Sequence, residues 1–229
     1  MTEGIGDYTQ MVDQLILNFP SNKVYLNEDF YVSTSNKEAY DLINNWPRWI
    51  KKTVNLYGPS GSGKTHLAAL LQNKTSNLKI ETAELNEKIL YSFKTKEILI
   101  IENFMENIKE DLLFSLWNLA LQDNKYILIT STKPITQYKF KLPDLKSRIN
   151  SCINVGIKLP NDDLISVILA KNFSDRQMSV EKKHIDYIIK RIDRSYEKIS
   201  QFISNLDKYS LKKGSSLGLK LIKDVLKMI

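Results

Sequence analysis

The 229-residue chain has a single cysteine, Cys152, which excludes an internal disulfide and, with no CxxC partner, reads as a structural thiol. Histidine is nearly absent too. His66 has no second His, Cys or acid at metal-ligand spacing, and His184 falls on a polar helix face. No apolar run approaches the ~20 residues that a membrane-spanning helix needs. The start Met1-Thr2-Glu3 offers neither the basic region nor the apolar stretch of a secretory signal, so a cytoplasmic protein without membrane contact is expected. Arginine is scarce: 5 against 28 lysines, which are spread along the chain beside abundant Ile and Asn. The net charge of +7 therefore reads first as solvated surface lysines, with a polyanion-binding patch as the alternative.

What is present is a change of pattern along the chain. Short β-prone runs at Thr53–Tyr57, Ile98–Ile101 and Tyr126–Thr130, with weaker ones at Leu78–Thr82 and Ile153–Ile157, alternate with helical stretches at His66–Gln72 and Glu110–Leu121. That alternation predicts an α/β fold with a parallel five-stranded sheet covered on both faces. After Pro160 only helical periodicity remains. Leu164, Val167 and Ile168 mark one helix, with Asn161 or Asp162 as its cap, and Ile185, Ile188, Ile189 and Ile192 mark the next. Ile199, Phe202, Ile203 and Leu206 mark a third, and Leu221, Ile222, Val225 and Leu226 the last. The expected organisation is a flexible N-terminal arm over 1–22, an α/β domain over 23–159 and a helical lid over 160–229. Trp46 and Trp49 around Pro47 read as a packed corner before the first strand, with stacking on a base as the alternative.

Gly58-Pro59-Ser60-Gly61-Ser62-Gly63-Lys64-Thr65 fits G-x-x-x-x-G-K-[ST] at every fixed position, between a strand and a helix that starts at His66. The chemistry needs these residue types. Glycines let backbone N–H groups turn inward around phosphate oxygens, Lys64 neutralises β/γ-phosphate charge, and the Thr65 hydroxyl ligates Mg²⁺ at a helix N-terminus. A chance glycine-rich turn is the alternative. Ile98-Leu99-Ile100-Ile101-Glu102-Asn103 is an apolar strand ending in an acid, the Walker B pattern, which makes Glu102 the candidate for the Mg²⁺ shell. Its neighbour Asn103 cannot act as a base, and a positioned general base contributes about 10²–10⁴-fold. Weak or absent intrinsic ATP hydrolysis is expected, with a plain polar strand end as the bland reading of Glu102.

With Leu142-Pro143-Asp144-Leu145-Lys146-Ser147-Arg148 added, the chain resembles the AAA+ domain of the replication initiator DnaA, and more closely the Hda-type regulators. The resemblance runs from Gln14 to the C-terminus and implies an AAA+ P-loop fold binding ADP or ATP with Mg²⁺. It makes Arg148 an arginine finger offered to nucleotide on a neighbouring subunit, with a surface ion pair as the alternative. It also places Thr132 at sensor 1, where the family often has Asp, and Glu197 where the lid sensor arginine is expected, with Arg194 as a substitute. Asp29-Phe30-Tyr31-Val32 with Asn36 resembles the segment that borders the adenine. Gln14-Leu15-Ile16-Leu17-Asn18-Phe19 matches Q-x-x-L-x-F and looks like the peptides that dock on the sliding clamp, Gln14 at a pocket rim and Leu17 and Phe19 in an apolar pocket. An arm strand packed on its own domain would explain the same residues.

The last residues, Lys223 to Ile229, read as a lid helix, and no groove-reading element can be placed. The resulting expectation is a regulator of replication initiation that docks on the clamp, meets DNA only through it, and promotes hydrolysis of DnaA-bound ATP, with self-association left open. The alternatives are a helicase loader of the DnaC or IstB kind, a small-molecule P-loop kinase, and a nucleotide-bound adaptor without hydrolytic role.

Overall fold

The computed structural model describes residues 29–213 and 218–229. In chain order the elements are α1 (Lys37–Asn44), β1 (Thr53–Tyr57), α2 (Lys64–Gln72), β2 (Asn77–Glu81), α3 (Glu87–Phe93), β3 (Ile98–Glu102), α4 (Glu110–Gln122), β4 (Tyr126–Ser131), α5 (Pro143–Asn150) and β5 (Ile153–Gly156). Four helices follow: α6 (Asp162–Asp175), α7 (Lys182–Ile189), α8 (Tyr196–Lys213) and α9 (Leu219–Leu226). All five strands are parallel, in the order β2-β3-β4-β1-β5. The expected five-stranded parallel α/β architecture is therefore present.

Parallel strands are covered on both faces, so their sequences read as continuous apolar runs. β3 shows this: all of Ile98–Glu102 is buried. Leu99, Ile101, Ile127 and Ile129 face one core with Phe93, Leu113, Leu116 and Trp117, on the side of α3, α4 and α5. Val54, Leu56, Ile98, Ile100 and Leu128 face the other, with Ala39, Ile43, Leu67 and Leu71 from α1 and α2. A third cluster, including Leu169, Phe173, Ile188, Phe202, Ile203, Ile222 and Val225, is built from the four last helices. Leu164 and Tyr196 belong instead to the α2-side core, and the Tyr196 hydroxyl donates to the Lys158 carbonyl at 3.1 Å. These contacts tie the helical part to the sheet.

Asn161 proves to be the cap of α6, its side chain accepting from the Leu164 amide at 3.0 Å. Trp49 is buried and donates its indole N–H to the Leu42 carbonyl at 2.8 Å, while Trp46 and Trp49 both pack edge-on against Tyr126. The packed-corner reading of this pair holds. Cys152 is buried, and desolvation pushes its thiol up to about 12, so it stays a neutral thiol at ordinary pH.

The C-terminal edge of the sheet is fastened by one buried polar side chain. Asn55 in β1 donates to the Ile129 carbonyl at 3.2 Å and the Ser131 hydroxyl at 2.8 Å, and accepts from the Ile135 amide at 2.8 Å. Every polar atom of that amide is used, which is what makes its complete burial tolerable. Asn55→Ala removes three buried hydrogen bonds, leaving the Ile135 amide its longer bond to Asn154 at 3.3 Å and the Ser131 hydroxyl its bond to the Lys133 carbonyl, and is expected to lower unfolding free energy by about 1–3 kcal/mol. Urea denaturation with unchanged slope would register this as a lower midpoint.

Candidate nucleotide site

β1 ends at Tyr57, and the loop that follows is held to the sheet by the Gly58 amide donating to the Ser131 carbonyl at 3.1 Å. Ser62 N–H closes the turn onto the Pro59 carbonyl at 3.2 Å. Ser60 stays exposed at its tip, and Gly63, with φ +94°, starts α2 from the left-handed region where a side chain is disfavoured. A Cβ on Gly63 would stand 3.0 Å from the Phe30 ring, and one on Gly61, φ +76°, would stand 3.2 Å from the Tyr196 Cβ. The loop is thus approached from the lead-in segment on one side and from the start of α8 on the other.

Lys64 is buried, and its ammonium donates to the Gly58 and Pro59 carbonyls at 2.8 Å each. Burial lowers its pKa, so its charge is costly where it sits and gains from an anion brought beside it. Thr65 is half-buried in the first turn of α2, and His66 meets Phe30 edge-on at 5.3 Å. Phe30 in turn stacks on Tyr40 at 5.7 Å. Asn36, buried, accepts from the Ser33 amide and donates to the Tyr31 carbonyl, so it shapes the lead-in turn.

Beside this loop lies an open cavity of about 580 Å³, which Gly58, Pro59, Ser60, Lys64 and Thr65 do not line. Gly61, Ser62, Gly63 and His66 form its floor; Asp29, Phe30, Tyr31 and Asn36 one wall; and Leu164, Ile168, Lys171, Arg176, Tyr196, Ile199 and Ser200 from the lid the other. An ion pair between Lys171 and Asp29 spans the two walls. An aromatic-walled cleft opening on a glycine-rich turn at a helix N-terminus has the composition of a nucleotide pocket.

Two lid cations, Lys171 and Arg176, line this cavity, and the sequence reading named neither. Arg176 also bonds the Asn172 side chain at 2.9 Å and pairs with Asp207 at 3.6 Å. Nothing in the spacing of Lys171 and Arg176 marked them, since their place follows from how α6 packs beside the loop. Arg194 does not line the cavity. Asp162, at the N-terminus of α6, holds its guanidinium at 2.9 Å, and Glu197 bonds Gln201 at 3.3 Å on an exposed face.

At the tip of β3, Glu102 is 2 % exposed. One carboxylate oxygen pairs with the Lys79 ammonium at 2.5 Å, and the other is buried without a partner. Asn103, at φ +51°, donates its amide N–H to the Thr130 hydroxyl at 3.1 Å and its side-chain N–H to Glu81 at 3.0 Å. Thr132 lies exposed beyond the strand; the hydroxyl inside the site's frame at this point is that of buried Thr130. Among the described residues no group of three His, Cys, Asp or Glu forms a metal site by itself. An Mg²⁺ here would draw on the unpartnered Glu102 oxygen, the Thr65 hydroxyl, phosphate oxygens and water, a hard oxygen set that suits the ion.

Arg148 lies on the other side of the sheet. Leu145 and Ile149 of α5 are buried in the core with Trp117, leaving Arg148 half-exposed with its guanidinium donating to the Asn118 side chain of α4 at 3.3 Å. It does not line the nucleotide cavity. The start of α5 is pinned by the Glu110 carboxylate, which accepts from the Leu142 amide at 2.7 Å and the Lys141 amide at 2.9 Å. These bonds, Leu142's foremost, hold the Glu110 carboxyl below its usual range. Gln14, Leu15, Leu17 and Phe19 lie outside the described residues.

No protein-family model matches the chain. The DnaA of Borreliella afzelii is 28% identical over 235 residues, covering 90% of this chain and 48% of that protein. The chain thus spans about half the length of the curated relatives it matches. Among solved structures, domain III of Thermotoga maritima DnaA superposes with a TM-score of 0.73 at 19% identity, over 89% of this chain and 95% of that one. The AMPPCP-bound DnaA of Aquifex aeolicus gives 0.70 at 19% identity, over 87% and 69%. No described helix is long and apolar enough to cross a membrane. The chain thus has the AAA+ P-loop fold seen in domain III of DnaA and is similar in sequence to about half of the DnaA protein.

Proposed function

We propose that this chain is a regulator of the Hda type, which holds ADP or ATP in the cavity above its P-loop and offers Arg148 to ATP bound by DnaA, promoting its hydrolysis. The observation that carries the reading is the separation of two functions on one sheet. Gly61, Ser62 and Gly63 of the phosphate loop, the aromatic wall and two cations of α6 and its C-cap line one cavity, whereas Arg148 is held by α4 and α5 away from it. In this reading Arg148, remote from the chain's own cavity, would serve a nucleotide on another subunit, where its planar, permanent charge would stabilise the transferring phosphoryl group.

The apparatus for the chain's own hydrolysis is weak. Asn103 stands where a carboxylate would polarise water, and its side chain is already committed to Glu81. Glu102 is engaged by Lys79. Nucleotide then serves mainly to hold lead-in segment, P-loop and lid together. Mg²⁺ bound at Thr65 and Glu102 would neutralise phosphate charge. Docking on the sliding clamp through Gln14, Leu15, Leu17 and Phe19 would bring Arg148 to the replication machinery. Contact with DNA would be indirect.

Arg148→Ala is expected to reduce the stimulated turnover of DnaA-bound ATP by about 10³-fold or more, the usual worth of an arginine finger, while leaving nucleotide binding by this chain intact. Unchanged stimulation in that variant would remove the finger and leave a nucleotide-bound adaptor. In a pull-down with purified sliding clamp, the intact chain is expected to bind and Gln14→Ala/Phe19→Ala to lose binding. Absence of binding by the intact chain would strip these residues of the docking role.

A further inference from the structure

The ion pair at Glu102 is placed so as to oppose the role that a Walker B acid normally has. In the sheet order, β2 lies on the side of β3 away from β4 and β1. Lys79 stands opposite Ile100 in register, so both it and Glu102, two residues further on, face the α2 side of the sheet. The P-loop follows β1, two strands from β3, or roughly 10 Å at ordinary strand spacing. The ammonium thus comes to the carboxylate from the strand on the far side of β3 from the P-loop and occupies one of its oxygens at 2.5 Å. The Glu102 side chain is only 3% exposed, and a carboxylate so buried requires a compensating cation. Among the described residues Lys79 supplies that cation, and the divalent ion that accompanies nucleotide would be a second.

We propose that Lys79 is a resident counter-cation that competes with divalent metal for Glu102, so that the chain retains its nucleotide mainly through the P-loop and Lys64, with little dependence on metal. The inference rests on the nucleotide reading of the cavity. It gives the weak hydrolytic apparatus a second cause besides Asn103: the acid that would fix the metal in a hydrolytic geometry is held by an internal lysine. It also suits a protein whose bound nucleotide acts as a structural part, since nucleotide held without metal is not consumed.

The test is Mn²⁺ binding to the full chain saturated with ADP, followed by the loss of the free-ion electron paramagnetic resonance signal. Lys79→Gln keeps a hydrogen-bond donor for Glu102 but removes the charge. It is expected to bind Mn²⁺ about tenfold or more tightly than the natural chain, a modest share of what a unit charge at ion-pair distance exerts. Adding Glu102→Gln to that variant should abolish the gain. Equal Mn²⁺ affinity in Lys79→Gln and the natural chain would overturn the proposal while leaving the nucleotide reading standing. Failure of the natural chain to bind ADP at all would overturn both. Should Lys79→Gln fold poorly, the natural chain alone decides: ADP affinity is expected to fall less than about tenfold when Mg²⁺ is replaced by EDTA. A loss of about a hundredfold or more would show that Glu102 serves the metal despite Lys79.

Discussion

Three separately built parts of this molecule meet at one loop, and they do so because Gly61 and Gly63 have no side chain. Phe30 closes on Gly63 and the Tyr196 Cβ on Gly61, at distances where an added Cβ would force a shift. Tyr196 then runs on to Lys158 and into the core of the α2 face, and Phe30 into Tyr40 and His66. The same backbone that must expose amides to a phosphate is therefore the hinge between sheet, lead-in segment and lid. This gives the nucleotide site a structural role before any chemistry is considered: whatever fills it completes the contact of all three parts.

The second half of the site is set by charge. Lys64 donates to two loop carbonyls but keeps its charge, and Glu102 has Lys79 from the neighbouring strand on one oxygen only. Both groups are buried, so neither can be left alone without cost. The uncompensated charge on Lys64 is what an incoming phosphate would meet. On the function proposed above, the nucleotide is retained more than cleaved, and the chemistry falls to Arg148, held by Asn118 on a different face.

Much of this was legible in the residues themselves. The inner strands β3 and β4 could be read because double coverage makes them apolar runs, the edge strands β2 and β5 less clearly because polar residues interrupt them, and the P-loop because its glycines stand at fixed spacing between strand and helix. The lid helices showed through the i, i+3, i+4 repeats of Ile, Leu and Phe. α1, α3 and α5 went unread as helices: α5 has only Leu145 and Ile149 on its buried face, whereas the equally short α9 carries Leu221, Ile222, Val225 and Leu226. Lys79 could not be picked from the other lysines, because its partner is fixed by the register of β2 on β3 and not by sequence spacing. Lys171 and Arg176 likewise acquire meaning only when α6 is laid against the P-loop, and Arg194 loses its expected place because Asp162 captures it.

The central claim is that the cavity above Gly58–Thr65 holds an adenine nucleotide as a working part of the protein. The most direct measurement is isothermal titration of ADP into the nucleotide-stripped chain, repeated with Lys64→Ala. The account expects close to one ADP bound per natural chain and binding at least about a hundredfold weaker in the variant, the loss that follows from removing a charged partner of phosphate. Absence of ADP and ATP binding by the natural chain, or equal binding by the two proteins, would contradict it.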